Sequence, residues 1–163
     1  MKTRKLTTLA LLTTAAMILS YLETLLPSVA IPGVKMGLAN IAVIFALYRL
    51  GPREAMAISL VRVGMVSLLF GSLSALFYSV AGAVLSLGVM ALLKKTGTFS
   101  EAGVSVAGGV GHNLGQILMA MLILDTPRLI YYLPVLILTG VGGGILTGLT
   151  AALLIRRIPP FEE

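Results

Sequence analysis

Residues 102–124, AGVSVAGGVGHNLGQILMAMLIL, carry no Asp, Glu, Lys or Arg, yet hold His112, Asn113 and Gln116 near their middle. A helix of roughly 20 apolar residues crosses the hydrocarbon layer of a bilayer, so the length and composition of this stretch read as a membrane span. The same apolar texture extends outward over the rest of the chain. Of the 163 residues 58% are hydrophobic and 11% charged, and the mean hydropathy is +1.04. A soluble domain carries about a quarter charged residues, so this chain lacks the polar surface to face water all round. It reads as an all-α, polytopic membrane protein, one integral membrane domain over residues 1–163 with no room for an aqueous domain beside it.

Turn chemistry divides the apolar run into six expected spans: Leu6–Leu26, Lys35–Leu50, Ala55–Phe70, Ala75–Leu93, Ala102–Leu124 and Tyr131–Ile155. The breaks are Pro27 and Pro32-Gly33, Gly51-Pro52, Gly71-Ser72, Lys94 to Ser100, and Asp125 to Arg128. The second and third spans are short for a full crossing. The start, MKTRKLTTLALLTTAAMIL, has the make-up of a signal peptide, but the apolar run continues to Leu26, which favours a retained first span.

Lys and Arg set the orientation, because cytoplasmic loops are enriched in them. With both termini inside, nine of the twelve lie on the cytoplasmic side: Lys2, Arg4, Lys5, Arg49, Arg53, Lys94, Lys95, Arg156 and Arg157. Lys35 and Arg128 fall outside, and Arg62 is left within the third span. The expected location is the cytoplasmic membrane of a bacterium. Topology also accounts for the pI near 10.0, which in a soluble protein would suggest a nucleic-acid partner; none is expected here.

An ionisable group in hydrocarbon costs a few kcal/mol or more, so by default it marks a site. Arg62 follows Arg53 by nine residues, about 13 Å along a helix, which places it near the middle of the layer. His112 lies at a similar depth in the fifth span. Gln116 is one turn further on the same face, Asn113 is offset by one residue, and flanking glycines thin the wall. Lys35 and Asn40 belong to PGVKMGLAN, residues 32–40, and Glu23 stands near the outer end of the first span. Each has a purely structural alternative: Arg62 paired with Glu23 or capping carbonyls, His112, Asn113 and Gln116 bridging helices, Lys35 at the interface. Taken together, Lys35, Arg62 and a protonated His112 form a positive surplus that a low-dielectric interior tolerates poorly. The expectation is therefore an outward-opening pocket for an anion, lined by the second, third and fifth spans, with no catalytic residue and no cofactor.

Small residues spaced four apart give flat helix faces for close packing. Gly140, Gly144 and Gly148 form one ladder; Ala107, Gly111 and Gly115 form another. A looser set, Ala10 with Thr14 and Ala16 with Ser20, lies on the first span. Ordinary packing or contact with a partner subunit would both use such faces.

Several chemistries are excluded. GVGHNLG has the wrong glycine spacing for a dinucleotide fingerprint and follows no strand, and no Gly-Lys-Ser/Thr phosphate loop is present. With no cysteine, one histidine and no close carboxylate, an ordinary zinc site cannot be built. Ser67, Ser72, Ser74 and Ser79 could approach His112, without positive support for a nucleophile–base pair.

At PGVKMGLANIAVIFALYRLG (32–51) and GGVGHNLGQ (108–116) the sequence resembles a bacterial membrane family known as heptaprenyl diphosphate synthase component I, or as the Gx transporter family. Its layout also resembles the substrate-binding S component of energy-coupling factor (ECF) transporters. That resemblance implies six helices, both ends cytoplasmic, and an outward-opening pocket. It also implies a small-residue first helix (here Ala10, Thr14, Ala16, Ser20) meeting a coupling subunit, with ATPases on separate chains. A prenyl synthase like the known ones holds magnesium with two aspartate-rich motifs, whereas this chain has a single aspartate, Asp125. The expected function is uptake of a small anionic solute, with amphipathic anions such as an isoprenoid or quinone precursor among the candidates. In that reading Arg62 and Lys35 neutralise it, Asn40, Asn113 and Gln116 orient it, and His112 donates a bond or titrates. The rival readings are an accessory membrane subunit of a polyprenyl diphosphate synthase, or a scaffold.

Overall fold

Gly37 sets where the second helix can begin. The computed structural model of the protein describes residues 2–25 and 37–159, and in it Gly37 has a φ of +75° while its carbonyl accepts the Asn40 N–H at 2.8 Å. That left-handed turn suits glycine and starts α2 at Asn40. The described elements are α1 (Lys2–Leu25), α2 (Asn40–Arg49), α3 (Pro52–Phe70), α4 (Leu73–Thr96), α5 (Glu101–Leu124), a 3-10 helix (Pro127–Tyr132) and α6 (Leu133–Arg157). No strand occurs among the described residues, so the chain is all-α.

Five of the six expected spans coincide with a helix to within a few residues. The second does not: α2 has 10 residues, about 15 Å at 1.5 Å per residue, half of a roughly 30 Å hydrocarbon layer. Lys35, expected at its start, lies outside the described residues.

Local chemistry explains the helix ends. Pro52 occupies the first turn of α3 after Gly51 at φ +117°, where the missing N–H costs nothing. Ser72 and Ser100 cap α4 and α5 by accepting the N–H of Ala75 and Gly103, each at 3.2 Å. Asp125 ends α5 at φ 47°.

Four helices are long and apolar enough to cross a membrane: Thr3–Glu23, Leu73–Thr96, Glu101–Leu124 and Pro127–Arg157. Their outward faces are apolar, and across the bundle Leu68, Leu122 and Leu138 are more than 70% exposed. A belt of this extent is not left to water by a soluble protein. The chain is a multi-pass membrane protein.

One end of the bundle gathers the start of α1 beside the start of α3, through Lys5–Glu54 at 2.5 Å. It also holds the ends of α2, α4 and α6. Arg49 Nη2 donates to the Ile155 and Ile158 carbonyls, and Lys94 Nζ donates to the Leu47 carbonyl at 2.6 Å while lying 5.0 Å from the Tyr48 ring centre. Basic side chains thus supply hydrogen bonds that carbonyls at helix C-termini lack. Above this end sits the core of Ala16, Val43, Ile44, Leu47, Ile58, Leu87, Met90 and Val104.

The glycine ladders are spent within the chain. A Cβ on Gly144 would meet Val106 Cα at 2.5 Å, and one on Gly148 would meet Ala102 Cα at 2.8 Å, so α6 lies backbone to backbone on α5. On the other side of α5, Gly115 lies against Ala81 of α4, where a Cβ would meet the carbonyl oxygen at 2.6 Å. Ser105 and Thr147 add a buried hydroxyl pair at 3.0 Å to the α5–α6 seam. The small residues of α1 expected to meet a partner divide between two environments. Ala10 is exposed and Thr14 is exposed beside it, but Ala16 is fully buried in the core and Ser20 is buried against Arg62. Helical periodicity turns those two positions inward.

Candidate functional site

Five helices bring their polar residues to one place. A cavity is lined by Glu23 from α1, Asn40 from α2, Arg62 from α3 and the His112–Gln116 face of α5. On the far side α6 contributes Thr139 and the bare backbone of Gly140, Gly143 and Gly144. Of the seven expected site residues, six line this one cavity; the seventh, Lys35, lies outside the described residues. The cavity has a volume of about 50 Å³, against the roughly 10–15 Å³ that one water needs.

A second cavity, of about 90 Å³, lies between α1, α3, α4 and α5. It shares Glu23, Arg62, His112 and Gln116 with the first, so these four form a partition between the two. Gly82 of α4 makes the partition possible: a Cβ there would meet the His112 ring at 3.0 Å and Gln116 Cγ at 2.9 Å.

Arg62 is the centre of the arrangement. Its Nη1 donates to Ser20 Oγ at 3.1 Å, the charge of Glu23 acts on it, and its buried Nε has no hydrogen-bond partner. A buried guanidinium N–H left unmade is costly, and an oxygen-bearing guest would satisfy it. Glu23 in turn accepts the Gly37 N–H ahead of α2, where a carboxylate also complements the positive end of the helix dipole. The cavity walls therefore hold, among the described residues, one permanent cation and one carboxylate. The expected surplus also counted Lys35, which lies outside the described residues, and a protonated His112.

Asn113 is partly committed elsewhere. Its Nδ2 donates to the Leu136 carbonyl at 2.7 Å and to Thr139 Oγ1 at 3.4 Å, tying α5 to α6. This is the bridging role that amides play between membrane helices. His112 makes interactions within the protein as well. Asn40, the first residue of α2, stands beside Gly37 on the cavity wall. Ser67 and Ser79 line the second cavity beside His112, whereas Ser72 serves as the cap of α4. Asp125 lines neither cavity. No group of three or more His, Cys, Asp or Glu is placed to hold a metal among the described residues.

Sequence reading missed Thr139 and Gly143 as wall residues and Ser20 as the partner of Arg62. The run VGGGI, residues 141–145, was the available signal: consecutive glycines in a membrane helix expose backbone on more than one face.

The family model for heptaprenyl diphosphate synthase component I matches residues 12–154, and the chain belongs to that family. Neither a curated protein nor a solved structure matches it.

Proposed function

We propose that this member of the heptaprenyl diphosphate synthase component I family binds a small anionic solute in the Arg62 cavity. It acts as the substrate-binding subunit of an ECF-type transporter in the bacterial cytoplasmic membrane, with six spans and both termini cytoplasmic. The basic residues gathered at one end of the bundle support that orientation. The solute enters from the opposite side and is passed inward with a coupling subunit and ATPases on separate chains. One observation carries the reading: a mid-span arginine with an unmet N–H shares a cavity with Asn40, His112 and Gln116. Helix α2, about half a membrane long, begins at that cavity. A helix N-terminus at a cavity offers backbone N–H groups to an anion. Arg62, and Lys35 beyond the described residues, neutralise the anion, while Asn40, Gln116 and the remaining capacity of Asn113 orient it.

The family's name supports a second reading, in which the chain is the membrane component of a heptaprenyl diphosphate synthase. Both readings place an anion at Arg62 and differ in its fate, transport in one and prenyl transfer in the other. A thermal-shift screen of the detergent-purified chain with inorganic diphosphate, aromatic carboxylates and isoprenoid phosphates tests the binding they share. A bound anion raises the melting temperature by mass action, and Arg62→Gln sharply reduces that rise. No shift with any anion, or a shift indifferent to Arg62→Gln, overturns the site. Prenyl transferase activity that tracks with this chain in a purified complex favours the synthase reading. Uptake into proteoliposomes that requires coupling subunit and ATP favours transport.

A further inference from the structure

The two cavities share a partition but differ in chemistry. Beyond the four shared residues, the first is walled by Asn40, Asn113, two threonines and bare glycine backbone, with no hydrocarbon side chain larger than a threonine methyl. The second adds Val63, Val66, Phe70 and Ala75 along the α3–α4 gap, interleaved with the hydroxyls of Ser20, Ser67 and Ser79. Its far wall is the last turn of α3, where Phe70 is 58% exposed and Gly71 is exposed beside it. The Phe70 ring is held against Tyr21 of α1, centroids 5.3 Å apart. A chain lying in this cavity would start at Arg62 and emerge among the lipid-facing residues Leu69 and Leu73.

Resting on the anion-binding reading above, we infer that the ligand is an amphiphile whose two parts occupy the two cavities. The anionic head accepts hydrogen bonds from Arg62 on the glycine-walled side. A slender hydrocarbon chain runs along Val63, Val66 and Ala75 and leaves past Phe70. Polar heads seek the donors of the first cavity, and hydrocarbon gains by leaving water for the second. The partition residues thus mark the junction between head and chain.

The test measures methyl, n-butyl and n-hexyl phosphate binding by calorimetry to the full chain in phosphatidylcholine nanodiscs, with uptake by empty discs subtracted. Affinity should rise about fourfold per methylene, the equivalent of burying one CH₂. Val66→Phe and Ala75→Phe each fill the second cavity. Both should keep the wild-type affinity for methyl phosphate, which shows that they are folded, and lose the gain with chain length. Equal binding of all three phosphates, or a gain that survives both fillings, overturns the amphiphile and leaves the anion site standing. No binding of any of them overturns both. A lysophospholipid with a phosphate head shares this chemistry. Competition by lysophosphatidic acid doped into the discs identifies the bilayer as the source, and retention of the soluble phosphate against it identifies the solution.

Discussion

Trace any helix of the core from the basic end and packing gives way to space within two or three turns. In α3, Ile58 is 1% exposed while Arg62, one turn on, faces both cavities; in α2 the closed residues Leu47 and Ile44 lead back to Asn40 at the cavity wall. Val104 and His112 repeat the contrast in α5, as do Met90 and Ser79 in α4. The closed end is apolar and capped by Arg49 and Lys94. The hollow half is polar, glycine-walled and organised around one arginine. The lesson is a division of labour: a bundle can hold an incompletely satisfied charge at its middle if the packing beside it is tight enough to fix the helices without that charge.

Gly148→Leu attacks the closed end most directly, because its side chain would drive the α6 backbone off Ala102 and Ser105. Overpacking without room to relax should cost about 3 kcal/mol or more, read as a collapse of the denaturation midpoint in detergent. Leu47→Ala opens a hole in the same end. Its expected cost is about 1–3 kcal/mol, below the water-soluble range because lipid supplies no transfer gain between helices and only the lost packing counts. Arg62→Gln probes the hollow half. Stability should change by less than about 1 kcal/mol, since an unsatisfied donor is removed along with the charge. Anion affinity should fall by roughly tenfold to a hundredfold, the worth of one charge-assisted hydrogen bond. A large stability loss from Arg62→Gln with unchanged anion binding would erase the contrast between the two halves.

The smallest effect belongs to the Lys5–Glu54 pair, whose lysine is 57% exposed. Glu54 precedes the apolar run of α3, and the hydrogen bond from Lys5 holds its carboxyl below the ordinary carboxylate range. A depressed folded-state value means the pair stabilises above the unfolded carboxylate's pKa and loses that contribution as pH falls through the folded value. An exposed pair of this kind contributes under about 1 kcal/mol. Glu54→Gln should therefore flatten a shallow acid-side decline in melting temperature and leave neutral-pH stability nearly unchanged.

Much of this architecture is legible in the sequence. Hydropathy and turn residues locate the helices because lipid forces each backbone group to be satisfied within its own segment, so a span shows itself in one window of sequence. The depth of Arg62 and His112 comes from helix rise, and their unsuitability for hydrocarbon marks them as site residues. The length of α2 is not legible, because it depends on a left-handed Gly37 and a carboxylate arriving from α1. Nor is the direction of Ala16 and Ser20, since small residues serve an internal seam and an external contact equally well.

Composition and periodicity alone determined that this chain is helical, lives in a bilayer and carries polar groups at mid-depth. Those are properties of single segments against a uniform solvent. Only the tertiary structure decided that Glu23, Arg62, His112 and Gln116 meet in one partition, that Asn113 is half committed to α6, and that valines, a phenylalanine and serines line one side while Asn40, threonines and glycine line the other. Such facts depend on the relative rotation of packed helices. That rotation is set by glycine contacts such as Gly82 on His112 and Gly144 on Val106, which no single helix contains.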